Sequence, residues 1–441
     1  MPKRKLLLIS YLFPPAGGIT VQRALSFTRY LPAYGIDVHV LHARNAPTPV
    51  VDRSLLDRVP QDVKIHSAFT PEPGFRLRHF LWGLLSPGSR RPGPQASASG
   101  RPSAVAGGGF KGWAKDVVRR ILCPEPEILW VPFAVRAARR IVRQENIEAV
   151  MVTAPPFSAF LVATRLKKEF PGLKVVADFR DEWLDFYLNE NEFQSGEYVR
   201  KRATEIEREI VEASDLVIAV TDTSLDRIRK RYPELPDRRF VCIHNGFDPA
   251  QFADFRRRPH GTGKVVVTLV GTATNASSPR YYLDALDNAP AEVRERFETR
   301  FVGRIADRER PMVENRKADL RLLGFLPQKE ATRYMEETDY LLLTMTDMVS
   351  LPGKLFEYLA TGRPVLAITP PGSEVAKIFA ATRAGICADP GDPADMQRAL
   401  RQMAERPPEE LCPAPDWDLI RSYERPRKAE QLASRIHALF E

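Results

Sequence analysis

The densest chemical signal in the chain is Ser350-Leu351-Pro352-Gly353-Lys354-Leu355-Phe356-Glu357. A Pro-Gly step opening a helix leaves the first backbone N–H groups unpaired, so an anion is favoured in front of them. Lys354 adds a positive charge in the first turn, which the helix dipole disfavours unless something anionic sits nearby. Glu357 follows one turn later on the same side, placed for a ribose hydroxyl pair or for Lys354 itself. An exposed i,i+3 Lys–Glu pair is the simpler reading, but it leaves the Pro-Gly start unexplained.

Five further loops could carry chemistry. Gly17-Gly18, after the first strand, lets the backbone approach a ligand and precedes a helix N-terminus; it is equally the mark of a tight strand–helix connection. The loop is not GxGxxG, which weakens a dinucleotide reading. Val152–Ser158 and Ala177–Trp183 each follow a strand. In the second of these, Asp178, Arg180 and Asp181 form either an ion-pair cluster or the lining of a polar site, and their place at a strand end favours the site. Asn245-Gly246 reads as a turn at the end of the first half. Gly271-Thr272 follows a strand and suits a pyrophosphate, with Arg280 as a charge partner or a mere surface residue.

These loops need a frame that puts strand ends side by side. Strand-like runs recur at Lys5–Tyr11, Asp37–Leu41, Val63–His66, Ala149–Thr153, Lys174–Asp178, Leu216–Val220 and Phe240–Ile243, with helical stretches between. A second series runs through Lys264–Val270, Arg300–Val302, Leu320–Leu323, Tyr340–Leu343, Pro364–Ile368 and Gly385–Ala388. Such alternation predicts parallel sheets with helices on both faces and ligands at the carboxyl ends of the strands. A length of 441 residues favours two domains. The expected division is 1–258, 259–425 and a terminal helix 426–441, with a ligand cleft between the two domains.

Residues 72–128 interrupt the first series. Pro87–Gly109 is rich in Pro, Gly, Ser and Ala, and is expected to be disordered. Apolar and basic residues mix on either side, at 75–85 and at 111–122, where Trp113, Val117, Val118, Ile121 and Leu122 share a helical face. This is either a membrane-surface element or a lid with its charges in water. Residues 1–130 carry 18 Lys/Arg against 8 Asp/Glu, within a net charge of +9, so an anionic partner suits this half. The patterning is too apolar for a nucleic-acid module. No apolar run is long enough to span a bilayer and no signal peptide is read. The four cysteines show no CxxC or CxxH spacing, so no metal site is expected and a cytoplasmic setting is the simplest.

Taken together, the motifs resemble retaining GT-B glycosyltransferases, above all glycosyltransferase family 4. The resemblance rests on GKLFEYLATGRPVLAI, with Gly17-Gly18, TAPPFS, DFRDEW, Asn245-Gly246, Gly271-Thr272 and Gly324-Phe325-Leu326-Pro327 in the family's order. It implies two Rossmann-like α/β domains and a nucleotide-sugar donor, UDP-linked or similar. It also implies a lipid-linked or saccharide acceptor in bacterial exopolysaccharide or O-antigen synthesis, and a place on the inner face of the plasma membrane. By the resemblance Glu357 binds the ribose, Lys354 and Arg280 contact the diphosphate, Phe325 and Leu326 lie by the base, and Gly17-Gly18 approaches the sugar or the leaving phosphate. No cofactor or bound metal is implied.

Two departures stand out. The family's paired glutamates are spaced E-x7-E, and Val349 occupies the first position. Arg180-Asp181 stands where the family often has a His. Two other readings therefore stay open: a sugar-nucleotide epimerase using the acids near Asp178, and a donor-binding homologue without activity. For transfer with retention, Lys354, Arg280 and helix N-termini would offset the leaving diphosphate's charge, and domain closure would gate the reaction.

Overall fold

The structure, a computed structural model, describes residues 3–48, 50–72, 74, 120–188 and 196–441. The expected disorder at 87–109, and the apolar-basic segments 75–85 and 111–119, lie outside the described residues. Among the described residues no helix is long and apolar enough to cross a membrane.

Thirteen strands form two sheets among the described residues. The first contains β1 (Arg4–Ser10), β2 (Ile36–Ala43), β3 (Lys64–Ala68), β4 (Ala149–Ala154), β5 (Lys174–Phe179), β6 (Leu216–Ala219) and β7 (Phe240–Cys242). Their order is β3-β2-β1-β4-β5-β6-β7. The second contains β8 (Val265–Val270), β9 (Phe297–Val302), β10 (Leu320–Gly324), β11 (Tyr340–Thr344), β12 (Val365–Ile368) and β13 (Gly385–Ala388), in the order β10-β9-β8-β11-β12-β13. β1 runs parallel to both β2 and β4, and β8 runs parallel to both β9 and β11.

The sequence explains the parallel arrangement. Leu6-Leu7-Leu8-Ile9, Val150-Met151-Val152 and Leu341-Leu342-Leu343 are fully buried, which only a sheet covered on both faces provides. Each such side chain stabilises the fold by about 1.5–3 kcal/mol. In each sheet the order reverses at one point, between β1 and β4 and between β8 and β11. A crevice opens at such a point at the strands' carboxyl ends.

Two compact units result. One is Met1–Ile218 with Glu234–Val241 and Ala433–Glu441; the other is Ala219–Pro233 with Cys242–Leu432. The division differs from a single cut at 258. Phe247, Phe252 and Phe255 pack into the second unit's core with Phe356 and Tyr423, which draws the expected linker approach into that unit. At the far end, Arg4 lies over the Phe440 ring at 4.3 Å and the His437 ring nitrogen is 3.0 Å from the Tyr34 carbonyl. The terminal helix Arg425–His437 thus finishes in the first unit.

Candidate active site

In the second unit the loops that leave β8 and β11 meet at the reversal point. Helix Gly353–Thr361 starts there, with Pro352 at its N-cap and no side chain capping the N-terminus. The Tyr358 hydroxyl accepts from the Val270 backbone N–H at 2.8 Å and donates to the Val270 carbonyl at 3.1 Å. The helix is thereby fastened to the end of β8. Gly303 lies against Gly271 so closely that a Cβ on Gly303 would sit 1.7 Å from the Gly271 carbonyl oxygen, so only glycine fits.

Lys354 occupies the first turn, and its side chain runs along Gly271, with Cδ 3.6 Å from where a Cβ on Gly271 would stand. The residue is half-buried, but its ammonium nitrogen is shut off from solvent and has no hydrogen-bond partner among the described residues. Burial pushes its pKa down to about 8. A buried cation without a counter-charge is costly, so the site favours an anion. Glu357 is half-buried one turn further along.

Arg280 begins helix Arg280–Asp287 and stacks on Tyr281 at 4.7 Å, donating to its hydroxyl at 2.8 Å. No carboxylate pairs with it among the described residues, so its charge remains available to an anion. Thr272 is exposed and Gly271 half-buried. Phe325 is 69% exposed, with the Arg304 guanidinium 5.0 Å from its ring, and Leu326 beside it is half-buried. Leu351 and Val349 are buried, and Ser350 is half-buried.

Asp347, which the motif reading passed over, shapes this loop. Its Oδ1 accepts from the backbone N–H groups of Val349 at 2.9 Å and Ser350 at 2.7 Å. Its Oδ2 is buried and has no partner among the described residues. The sequence signal was an Asp heading a turn, whose side chain characteristically bonds the backbone two residues on. Asn245 is half-buried beside Gly246, in a segment held by the Phe247 N–H to Tyr423 carbonyl bond at 3.2 Å.

In the first unit, the acids at the end of β5 and just past it separate by role. Asp178 is 0% exposed and pairs with buried Arg23, its oxygens lying 2.7–3.1 Å from the guanidinium nitrogens. Arg180 donates to the carbonyls of Thr20 and Pro155. These bonds pin the start of helix Ile19–Tyr30 to the loops after β4 and β5. Asp178 and Arg180 therefore serve as a brace, because their charged groups are engaged inside the protein. Asp181 is exposed, while Glu182 is buried and accepts from the Asp185 N–H at 2.8 Å. Gly17 donates to the Val50 carbonyl at 2.9 Å, and Gly18 takes a φ of 89° at the N-cap of the helix.

The chain is similar to known proteins. The model for Glycosyltransferase Family 4 matches residues 88–251, and that for Glycosyl transferases group 1 matches residues 264–406. A probable glycosyltransferase, WbjE of Pseudomonas aeruginosa, is 25% identical over 195 residues, which is 43% of this chain and 48% of that protein. The match thus spans about half the length of that relative. Anabaena HepE, solved with UDP and glucose, shows a TM-score of 0.60 at 14% identity, over 99% of this chain and 100% of that one. A glycosyltransferase from Rickettsia africae gives 0.61 at 11% identity, over 100% and 99%. WaaG, a glycosyltransferase involved in lipopolysaccharide biosynthesis, gives 0.55 at 13%, over 98% and 98%. The solved structures establish the GT-B fold. The two family models add a glycosyltransferase match in each half of the chain.

Proposed function

We propose that the chain transfers a hexose-type sugar, with retention, from a UDP-sugar or similar donor to a lipid-linked or saccharide acceptor in bacterial surface polysaccharide synthesis. The observation that carries this reading is the buried ammonium of Lys354, without a partner among the described residues, at a helix N-terminus that no side chain caps. A nucleoside diphosphate supplies the missing charge, and Arg280 adds to it. Glu357 takes the ribose, and the Arg304–Phe325 pair offers a face for the base. As the C1–O bond to the diphosphate breaks, charge grows on the leaving oxygen, and Lys354 with the helix N–H groups offsets it. The leaving phosphate assists removal of the acceptor proton, and exposed Asp181 is assigned to the acceptor hydroxyl on the strength of its place just past the end of β5. Retention and the surface-polysaccharide setting rest on the likeness to family 4; WbjE, a probable glycosyltransferase, and WaaG, involved in lipopolysaccharide biosynthesis, support glycosyl transfer.

The basic segments 75–85 and 111–122 are proposed to seat the enzyme on the inner face of the membrane. The test of function is incubation with a panel of nucleotide-sugars and polyprenyl-diphosphate-sugar acceptors, with the product anomer read by NMR. Epimerised free donor, or binding without turnover across the panel, would overturn the reading.

A further inference from the structure

A cluster away from the donor loop brings together three ligand types. Asp222 opens helix Asp222–Arg231 after β6, Cys242 ends β7, and His244 follows two residues on. One ligand atom from each lies within 4.8 Å of the other two. The His244 Nδ1 is 2.7 Å from the Val220 carbonyl, which places its proton on that nitrogen and leaves the lone pair on Nε2. Metal-bound imidazoles are oriented by this same kind of bond. Cys242 Sγ stands 3.9 Å from Nε2. In a tetrahedral zinc site sulfur and nitrogen ligands are roughly 3.5 Å apart, given the usual Zn–S and Zn–N lengths. Sγ also stands 3.5 Å from Nδ1, so the Cys242 side chain must turn to bring its sulfur in front of Nε2.

We propose that Asp222, Cys242 and His244 bind one borderline divalent cation of the zinc class. A thiolate, an imidazole and a carboxylate form a donor set that selects such ions over magnesium or calcium. Asp222 is exposed and Cys242 half-buried, so the ion can enter from solvent and water can complete the tetrahedron. A histidine bonded to a carbonyl needs no metal for its own satisfaction. What calls for one is the convergence of sulfur, nitrogen and oxygen donors from two separate chain segments. The ion ties the start of the Asp222 helix to the segment carrying Asn245-Gly246. It takes no part in the proposed transfer chemistry.

The test uses the full chain, stripped with a chelator and titrated with Zn²⁺ against a chromogenic competitor, and with Co²⁺ as a spectroscopic probe. Wild type is expected to bind one equivalent of Zn²⁺ and to show a thiolate-to-cobalt charge-transfer band. Cys242→Ser abolishes the band, and both it and His244→Gln weaken Zn²⁺ binding by roughly tenfold or more. Cys387→Ser serves as a control and changes neither. Equal melting temperatures of the metal-free variants and metal-free wild type show that they fold; if Cys242→Ser does not, Asp222→Asn carries the comparison. Absence of stoichiometric Zn²⁺ binding by wild type, or a band retained in Cys242→Ser, overturns the proposal. Neither outcome bears on UDP binding, so this inference and the proposed transferase activity fail separately.

Discussion

The Tyr358 hydroxyl satisfies both backbone groups of one residue, Val270, accepting from its N–H and donating to its carbonyl. A helix one residue past Glu357 is thus locked to the strand end that presents Gly271 and Thr272. Tyr358→Phe leaves the N–H and carbonyl of half-buried Val270 with one partner fewer and should destabilise the protein by about 0.5–1.5 kcal/mol. Urea melts read the loss, and UDP calorimetry should show weaker binding. Wild-type values in both assays would remove this tether from the account.

Lys354 sets a pH dependence. Burial holds its ligand-free pKa down at about 8, and a diphosphate favours its charged form. UDP affinity should therefore be level below pH 8 and fall as pH rises above it, by up to tenfold per unit, with proton uptake on binding near pH 8. Calorimetry in buffers of different ionisation enthalpy measures the uptake. Lys354→Met should abolish the effect and weaken UDP binding by roughly 10–100-fold.

The same residue makes a prediction about stability. The folded-state pKa lies below the ordinary lysine value, so the unfolded chain holds the extra proton more tightly. The penalty is full below pH 8 and is relieved as pH climbs toward the usual lysine range. Lys354→Met should thus raise the ligand-free melting temperature at pH 7. A lowered one would contradict the buried, unpaired charge.

The acids at the end of β5 and just past it should part company on mutation. Asp178→Ala strands the buried Arg23 charge and should cost about 3–5 kcal/mol of stability. Asp181→Asn should leave stability within about 0.5 kcal/mol of wild type while lowering turnover by roughly 10²–10⁴-fold. Melting curves and acceptor turnover separate the two. Normal turnover in Asp181→Asn would remove it from the reaction.

Membrane seating is checked by co-sedimentation with anionic liposomes. The full chain should partition with them, and a variant lacking 72–128 should stay in the supernatant. Equal partitioning would refute the proposal.

Strand positions could be read from apolar runs because a parallel strand buried on both faces has no polar alternation to hide it, as in Leu6–Ile9. The Lys354 loop could be read because Pro-Gly followed by Lys is a local pattern with a local cause. The brace could not. Arg23 and Asp178 are 155 positions apart, and nothing near either marks the other. The acids near Asp178 looked like a site because a cluster of charge at a strand end resembles one until the partners are seen. Gly303 and Tyr358 were missed for the same reason: their partners, Gly271 and Val270, are distant in the chain. The three donors Asp222, Cys242 and His244 show no ligand spacing in sequence, since adjacent strand ends alone bring them together.

The contact between Gly303 and Gly271 bears on how donor choice can be altered. Two backbones in direct contact present no side chain to trim or enlarge, so that wall of the pocket is fixed in shape. Under the proposed function, a change of sugar preference has to be sought elsewhere, and the turn from Asp347 to Leu351, where Val349 stands in place of the family's acid, is where to begin. There a single exchange at Val349 or Ser350 changes size and polarity without disturbing the strand end.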